Sequence, residues 1–258
     1  MNSGIQVKQS QSEPMPVAGT LPAGAHNEAA AAQAVREMFT AIAPRYDLLN
    51  HLLSLNVDRY WWWRAARTFN LLLARPSARV LDLCCGTGDL TRALRRQSRS
   101  SRPIIGIDFS HAMLVRGVMK TSAENIRLVE ADALRLPFAD NSFDLVTSAF
   151  GFRNLANYES GLREIYRVLC AGGEVGILDF AEPKGLLGKI YRVYFRHLLP
   201  KIGAILSGVK GPYSYLPASV ERFPTPPEVL AQMREIGFCD VRWQPYTFGI
   251  AGLFSGNK

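Results

Sequence analysis

The chain has 258 residues, 48% of them hydrophobic and 20% charged, enough to bury one sizeable core. Thirty Lys and Arg against twenty-two Asp and Glu give a formal charge of +8, which suits an acidic lipid leaflet, a nucleic acid or a phosphorylated substrate without choosing among them. No stretch approaches the roughly 18 apolar residues of a membrane span, and the opening MNSGIQVKQSQSEP lacks the apolar core of a signal peptide. The four cysteines, Cys84, Cys85, Cys170 and Cys239, show no metal-type spacing, so no zinc site and no disulfide scaffold is expected. Membrane-spanning, collagen-like and fully disordered classes are excluded, and the expected location is cytoplasmic, soluble or peripheral at the inner face of the cytoplasmic membrane.

Residues 1–27, rich in Ser, Gln, Pro, Gly and Ala, read as a disordered tail. Residues 28–75 read as a helical cap: an alanine-rich stretch from Glu28 to Phe39, then a segment dense in Leu, Trp and Tyr. The three consecutive tryptophans, Trp61, Trp62 and Trp63, cannot all face one way on a helix. From residue 76 onward strand and helix patterns alternate. Strands are expected at Arg79–Leu83, Pro103–Ile107, Ile126–Glu130, Phe143–Ser148 and Glu174–Asp179, with helices at Asp89–Gln97, His111–Lys120 and Tyr158–Leu169. That alternation predicts an α/β fold with a parallel sheet and helices on both faces. Residues 184–224 interrupt it; a helix at Pro226–Ile236 and a terminal hairpin, Asp240–Phe248 with Ala251–Ser255, complete the 76–258 domain.

The strongest constellation is VLDLCCGTGDL. A strand carries Asp82, and the turn Gly86-Thr87-Gly88 lets the backbone approach a ligand where the first βα turn of such a sheet binds a nucleotide-like cofactor. Thr91 stands where a dinucleotide fingerprint has its third glycine, and a carboxylate at Asp82 repels pyrophosphate but suits an ammonium and a sulfonium. This favours S-adenosylmethionine over NAD. Asp108, twenty residues after Gly88, can accept both ribose hydroxyls, and Asp132 and Ala133 after the next strand can read the adenine edge. Singly each Asp reads sooner as a turn or helix cap than as a ligand group; on three successive strand ends together they read as a cofactor site. Cys84 and Cys85 lack a basic neighbour and read as small packing residues.

These residues, with MFTAIAPRYDLLNHLLSLNVDRYW, FGFRN (150–154), YRVLCAGGEVGILDFAEP (166–183) and YSYLPASVERFPTPPEV (213–229), resemble class I S-adenosylmethionine-dependent methyltransferases, and within them the ubiquinone/menaquinone biosynthesis C-methyltransferase family, over about residues 35–257. The resemblance implies a Rossmann-like, seven-stranded, mostly parallel sheet with an N-terminal helical cap and a substrate-side insertion, 184–224, after the fifth strand. It carries cofactor contacts onto Thr87, Asp108, Asp132 and Ala133. It also shows departures: Asp58 where the family usually has His, Cys170-Ala171 for Lys-Pro, Asp179 for Glu, and Ala149 where some members place a cofactor-contacting Ser.

The implied reaction is C-methylation of a polyprenyl hydroquinone, of the demethylmenaquinol or 2-methoxy-6-polyprenyl-1,4-benzoquinol type. It needs an electron-rich ring held in line with the methyl donor and no metal. Arg153 and Asn154 are the candidates for orienting an ionising quinol oxygen, or else an Arg stem packed under the loop and an Asn cap. Tyr213 and Tyr215 are candidates for ring-oxygen bonding or proton removal, or line the insertion. Tyr46 and Asp47 are candidates for closing over the substrate, or pack the cap. The segment 184–208 reads as a basic amphipathic lid meeting the tail and an anionic membrane, as a plain surface helix, or as a contact in a homodimer or quinone-biosynthesis complex. The rival readings are a methyltransferase for another lipid or phenol, and a lipid-binding assembly protein with a vestigial pocket. No nucleic-acid partner is expected, because neither an RNA-binding module nor an Asn/Asp-Pro-Pro-aromatic motif is present.

Overall fold

The computed structural model describes residues 18–48, 54, 56–183 and 212–258. Helix α1 (Glu28–Ile42) starts where the Asn27 side chain accepts the Ala30 N–H at 2.8 Å, a polar N-cap in front of an alanine-rich run. Helix α2 (Val57–Thr68) and the single turn α3 (Asn70–Leu73) complete the cap. The alternation then runs β1 (Val80–Leu83), α4 (Asp89–Gln97), β2 (Ile104–Asp108), α5 (His111–Thr121), β3 (Ile126–Glu130), β4 (Phe143–Ala149), α6 (Tyr158–Val168) and β5 (Leu169–Phe180). After it come α7 (Pro212–Arg222), α8 (Pro226–Ile236), β6 (Cys239–Tyr246) and β7 (Ala251–Asn257). Helix α8 shows why local sequence suffices at some boundaries. Thr225 and Glu228 form a capping box before two prolines, and Gly237 at φ +118° ends the helix in a conformation that favours glycine.

The seven strands form one sheet in the order β3-β2-β1-β4-β5-β7-β6, parallel from β3 through β5, with β7 antiparallel to both β5 and β6. Strand β1, flanked by β2 and β4, is buried along its whole length, as a strand covered on both faces must be. One face packs Leu81, Val146 and Ile177 against α6 and α8 through Leu162, Ile165 and Met233. The other packs Val80, Leu145 and Leu253 against α2 and α4 through Trp61, Ala66 and Leu94. Trp61 and Trp62 are buried and Trp63 is exposed, the split that helical geometry requires of three adjacent residues.

Three expectations change. The end of the expected disordered tail is docked: Gly19 lies against the Leu155–Ala156 backbone, the Thr20 N–H donates to the Leu155 carbonyl at 2.8 Å, and the Thr20 side chain is buried. Local composition missed this because the segment's partners come from residues more than a hundred positions away. Strand β5 begins at Leu169, five residues early: Leu169 pairs with Phe143 of β4, and further along Lys258 N–H donates to the Gly173 carbonyl and Gly172 N–H to the Lys258 carbonyl, each at 2.9 Å. Residues 212–222, inside the expected insertion, form a helix despite Pro217 within it. Residues 1–17 and the basic segment 184–208 lie outside the described residues.

A Cβ at Gly19 would stand 2.2 Å from the Leu155 carbonyl oxygen, a contact that real Cβ atoms do not make. Gly19→Ala is expected to release residues 18–27, so that limited proteolysis cuts there several-fold faster while the urea midpoint of the sheet domain stays within about 0.5 kcal/mol of wild type. Unchanged cleavage would show that the strap is not held by this contact.

Candidate functional site: a carboxylate-lined cleft at the strand ends

The turn after β1 is wound by backbone at positive φ: Cys84 (+51°), Gly86 (+56°) and Gly88 (+87°). Gly86 turns its N–H to Asp108, whose Oδ2 accepts it at 2.9 Å while Oδ1 accepts the Ser110 N–H at 2.9 Å. Cys85 N–H donates to the Ile107 carbonyl at 2.8 Å, so the glycine turn is fastened to the end of β2 at two points. Gly88 starts α4, and a Cβ there would press on Thr121 at 3.2 Å.

A cleft opens over these strand ends. Asp108, Asp132 and Ala133 line one side with Phe109 and Met113, while Tyr46, Phe150 and Asn154 line the other. A second recess continues it toward Asp82, Thr87 and Trp62, sharing Tyr46, Gly86, Ala149 and Phe150. Asp132, exposed at the rim, accepts the Leu134 N–H at 2.9 Å. Asp82 is fully buried and accepts the Thr91 and Thr147 hydroxyls at 2.6 and 2.9 Å. Burial pushes the Asp82 carboxyl up to about 7 and the Asp108 carboxyl up to about 6, against the pull of these donors. The Cys84 and Cys85 thiols are raised well above their ordinary range, first by burial and then by the neighbouring carboxylates, which fits packing rather than nucleophilic chemistry.

Thr87, implied by resemblance as a cofactor contact, has its hydroxyl committed elsewhere. It donates to Asp47 Oδ1 at 2.6 Å and accepts from Lys120 Nζ at 2.9 Å, and Lys120 also reaches Asp47 Oδ2 at 2.9 Å and Asp89 Oδ1 at 2.8 Å. Asp47 is therefore a tether that fastens the cap to the glycine turn. Its neighbour Tyr46 lies on the cleft, edge-on to Phe39. Lys120 carried no signal in sequence, since a lysine in the last turn of a helix is ordinary.

Arg153 and Asn154 stand side by side below Phe150 but do different things. Arg153 is 5% exposed; its Nη1 pairs with Asp179 Oδ1 at 3.0 Å and also donates to the Phe150 carbonyl, its N–H donates to Asp179 Oδ2 at 3.0 Å, and its guanidinium lies over the Phe180 ring. The expected free cation facing a quinol oxygen is thus a neutralised pair that shapes the 150–154 loop. Asp179, the departure from the family's usual Glu, still reaches it. Asn154 faces the cleft, and its Oδ1 accepts the Tyr215 hydroxyl at 3.1 Å. The same hydroxyl shares a hydrogen bond with Thr20 at 2.6 Å. Tyr215, read from sequence as a candidate for ring-oxygen bonding or proton removal or as lining, is held between Asn154 and Thr20, a partner hidden in apparent tail sequence. The side chain of Tyr213 lies outside the described residues.

The cleft fits a cationic, diol-bearing cofactor by the chemistry of its donors. Two buried carboxylates, neither in an ion pair among the described residues, suit an ammonium-bearing sulfonium and a ribose diol, and would reject pyrophosphate. Asp108→Ala is expected to weaken S-adenosylmethionine binding by about ten- to a hundredfold, the cost of losing hydrogen bonds to a charged group, with an unchanged circular dichroism spectrum; calorimetric titration showing unchanged affinity would remove Asp108 from the site. Because the folded Asp82 pKa lies above its unfolded value, its contribution to stability is fully present at low pH and lost as pH rises through about 7. Asp82→Asn, neutral throughout, is expected to gain stability relative to ligand-free wild type between pH 4 and pH 7, and parallel urea curves for the two proteins over that range would contradict this.

The model of the ubiE/COQ5 methyltransferase family matches residues 27–258. Demethylmenaquinone methyltransferase of Deinococcus radiodurans is 50% identical over 229 residues, covering 88% of this chain and 93% of that one, and its counterpart from Thermus thermophilus is 47% identical over 224 residues, covering 86% and 100%. The ubiquinone/menaquinone biosynthesis C-methyltransferase UbiE of Geobacter sulfurreducens is 43% identical, covering 87% and 88%. Among solved structures, an S-adenosylmethionine-dependent methyltransferase from Thermotoga maritima superposes with a TM-score of 0.59 at 18% identity, covering 86% of this chain and 99% of that one, a likeness of fold. With the strand-end carboxylates in place beneath a glycine turn, the chain belongs to the ubiE/COQ5 methyltransferase family and is an S-adenosylmethionine-dependent methyltransferase.

Proposed function

We propose that the protein C-methylates a polyprenylated hydroquinone, the step that turns demethylmenaquinol into menaquinol or methylates 2-methoxy-6-polyprenyl-1,4-benzoquinol. The observation that carries this reading is the similarity, at 50% and 47% identity over nearly the whole of both chains, to proteins named demethylmenaquinone methyltransferase. The cleft supports it. Apart from its carboxylates it is largely apolar, with Phe39, Phe109, Phe150 and Leu155 offering faces for an aromatic ring, and Asn154 supplying a polar group among them.

When bound, S-adenosylmethionine supplies a methyl group on a positively charged sulfur. The chain's own task is to bring an electron-rich ring carbon to it and keep water away. Asp108, Asp132 and Ala133 would hold the nucleoside end, and the recess beside Asp82 would take the amino acid end. The Asn154 carboxamide, fixed through its oxygen by Tyr215, holds its Nδ2 toward the Phe150 carbonyl at 3.3 Å and sits where a ring oxygen can be oriented. Burial raises the Tyr215 phenol above its usual range, so it is a neutral donor to Asn154 at physiological pH. The Arg153–Asp179 pair acts one step back, by holding the loop that carries Asn154 and Phe150. Tyr46 closes the cleft from the cap side, fixed by the Asp47 tether. A quinol ring donates electrons to the methyl group, whereas the oxidised quinone is itself electrophilic. The polyprenyl tail resides in a bilayer, so the protein must work at a membrane surface, and no described helix is long and apolar enough to cross one.

Labelled methyl transfer is expected to chemically reduced demethylmenaquinol or to the reduced benzoquinol, and not to either oxidised quinone. Asn154→Ala is expected to lower turnover by at least about tenfold with little change in S-adenosylmethionine affinity. No product from either quinol, with cofactor binding intact, would make the protein a methyltransferase of another acceptor.

A further inference from the structure

One stretch of the described chain is strongly basic, and the cofactor site does not use its charge. Residues 57–102 hold ten arginines, no lysine, three aspartates and no glutamate, a net +7. Of the three aspartates, Asp58 and Asp82 are buried and Asp89 is paired with Lys120. Arg79 and Arg92 have carboxylate partners, Asp144 and Glu124. Arg59, Arg67, Arg75, Arg96, Arg99 and Arg102 are exposed and form no ion pair among the described residues.

The geometry gathers these charges with exposed apolar groups. Helix α2 buries Asp58, Trp61, Trp62, Ala65 and Ala66, which leaves Arg59, Trp63 and Arg67, at intervals of four, along its outer face with Tyr60 beside them. Tyr60 and Trp63 stack at 6.0 Å, the Arg67 guanidinium lies 5.2 Å from the Trp63 ring, and the two aromatic residues are 48% and 46% exposed. Helix α4 lies against α2, joined by a hydrogen bond from Gln97 Nε2 to the Trp63 carbonyl at 3.2 Å, and sets Arg96 into a groove with Arg59 and Trp63. Leu71, in the turn after α2, is 82% exposed. The groove also includes Trp62 and Asp89, which line the inner recess of the cofactor cleft.

We propose that the outer face of α2, α3 and α4 docks the protein on an anionic lipid bilayer, with Arg59, Arg67 and Arg96 taking lipid phosphates and Tyr60, Trp63 and Leu71 entering the headgroup layer. A helix lying flat, with guanidinium groups flanking Trp, Tyr and Leu, has the composition of an interfacial helix. Its charge complements a leaflet rather than a small ligand, because Arg67, Arg75, Arg99 and Arg102 do not line the groove that Arg59 and Arg96 share. The choice of a bilayer over a nucleic acid rests on the polyprenyl acceptor proposed above. Docking this face places the bilayer beside the groove that adjoins the methyl-transfer cleft.

The test is cosedimentation of the full chain with vesicles of phosphatidylcholine alone and of equal parts phosphatidylcholine and phosphatidylglycerol. Wild type is expected to bind the mixed vesicles, to release from them as salt rises, and to ignore phosphatidylcholine alone. The variant R59E/R67E/R96E is expected to bind at least about tenfold more weakly, and W63A/L71A to bind more weakly at every salt concentration. Both should keep wild-type methyl transfer to a short-tailed, water-soluble quinol, which controls for folding. Three outcomes would overturn the proposal: unchanged vesicle binding by the charge-reversed variant, equal binding to neutral vesicles, or preference of the wild type for duplex DNA or RNA in a competition with vesicles. Charge-sensitive vesicle binding without methyl transfer to any quinol would leave the docking face standing and sink the acceptor reading instead.

Discussion

Asp82 and Asp108 are buried at the carboxyl ends of adjacent parallel strands with no ion pair among the described residues, and the rest of the site is arranged around the cost of doing so. A carboxylate removed from water is tolerated only when donors surround it. Here they are the Thr91 and Thr147 hydroxyls for one, and the Gly86 and Ser110 backbone for the other. Those donors offset part of the cost, which is why both carboxyls still sit above their ordinary range. A positively charged ligand beside them would offset the remainder, whereas a pyrophosphate would add to it.

The same interaction builds the turn. Gly86, at positive φ, donates its N–H to Asp108, so the glycine turn and the carboxylate are joined. The cap is fastened to the same turn. Lys120 at the end of α5 gathers Asp47 of the cap, Asp89 of α4 and Thr87 of the turn around one ammonium. A second set of long-range bonds joins Thr20, Tyr215 and Asn154, which are far apart in the chain. Both clusters adjoin the strand-end cleft, the first through Thr87 and Asp89 and the second through Asn154.

Arg153 illustrates how burial reassigns a residue. In sequence it is a cation next to an asparagine after a strand, the right type for steadying an anionic oxygen. In the folded chain it has entered the loop's interior, where an uncompensated charge would cost several kcal/mol, and Asp179 has become its partner. What it holds is the Phe150–Asn154 loop, through Asp179 and the Phe150 carbonyl. The departure from Glu to Asp at residue 179 keeps the pair because both members sit under the same loop.

Much of the fold was legible locally. The helices at Asp89–Gln97 and Pro226–Ile236 and the strand at Ile126–Glu130 have their expected bounds because glycines, prolines, caps and hydrophobic period act within a few residues of each other. The positions of the three carboxylates were legible for the same reason, since the end of each parallel strand is a fixed place in the sheet and Asp82, Asp108 and Asp132 are read from it. The sequence by itself determined the fold class, the strand-end carboxylates and the family. Only the tertiary structure decided that residues 18–20 form a docked strap, that β5 starts at Leu169, that Lys120 gathers Asp47, Asp89 and Thr87, and that Arg59, Arg67 and Arg96, in no ion pair among the described residues, gather about Trp63. Each of these depends on groups distant in sequence meeting in space, and no local pattern of charge or hydrophobicity encodes which partner a side chain will find once the sheet has closed.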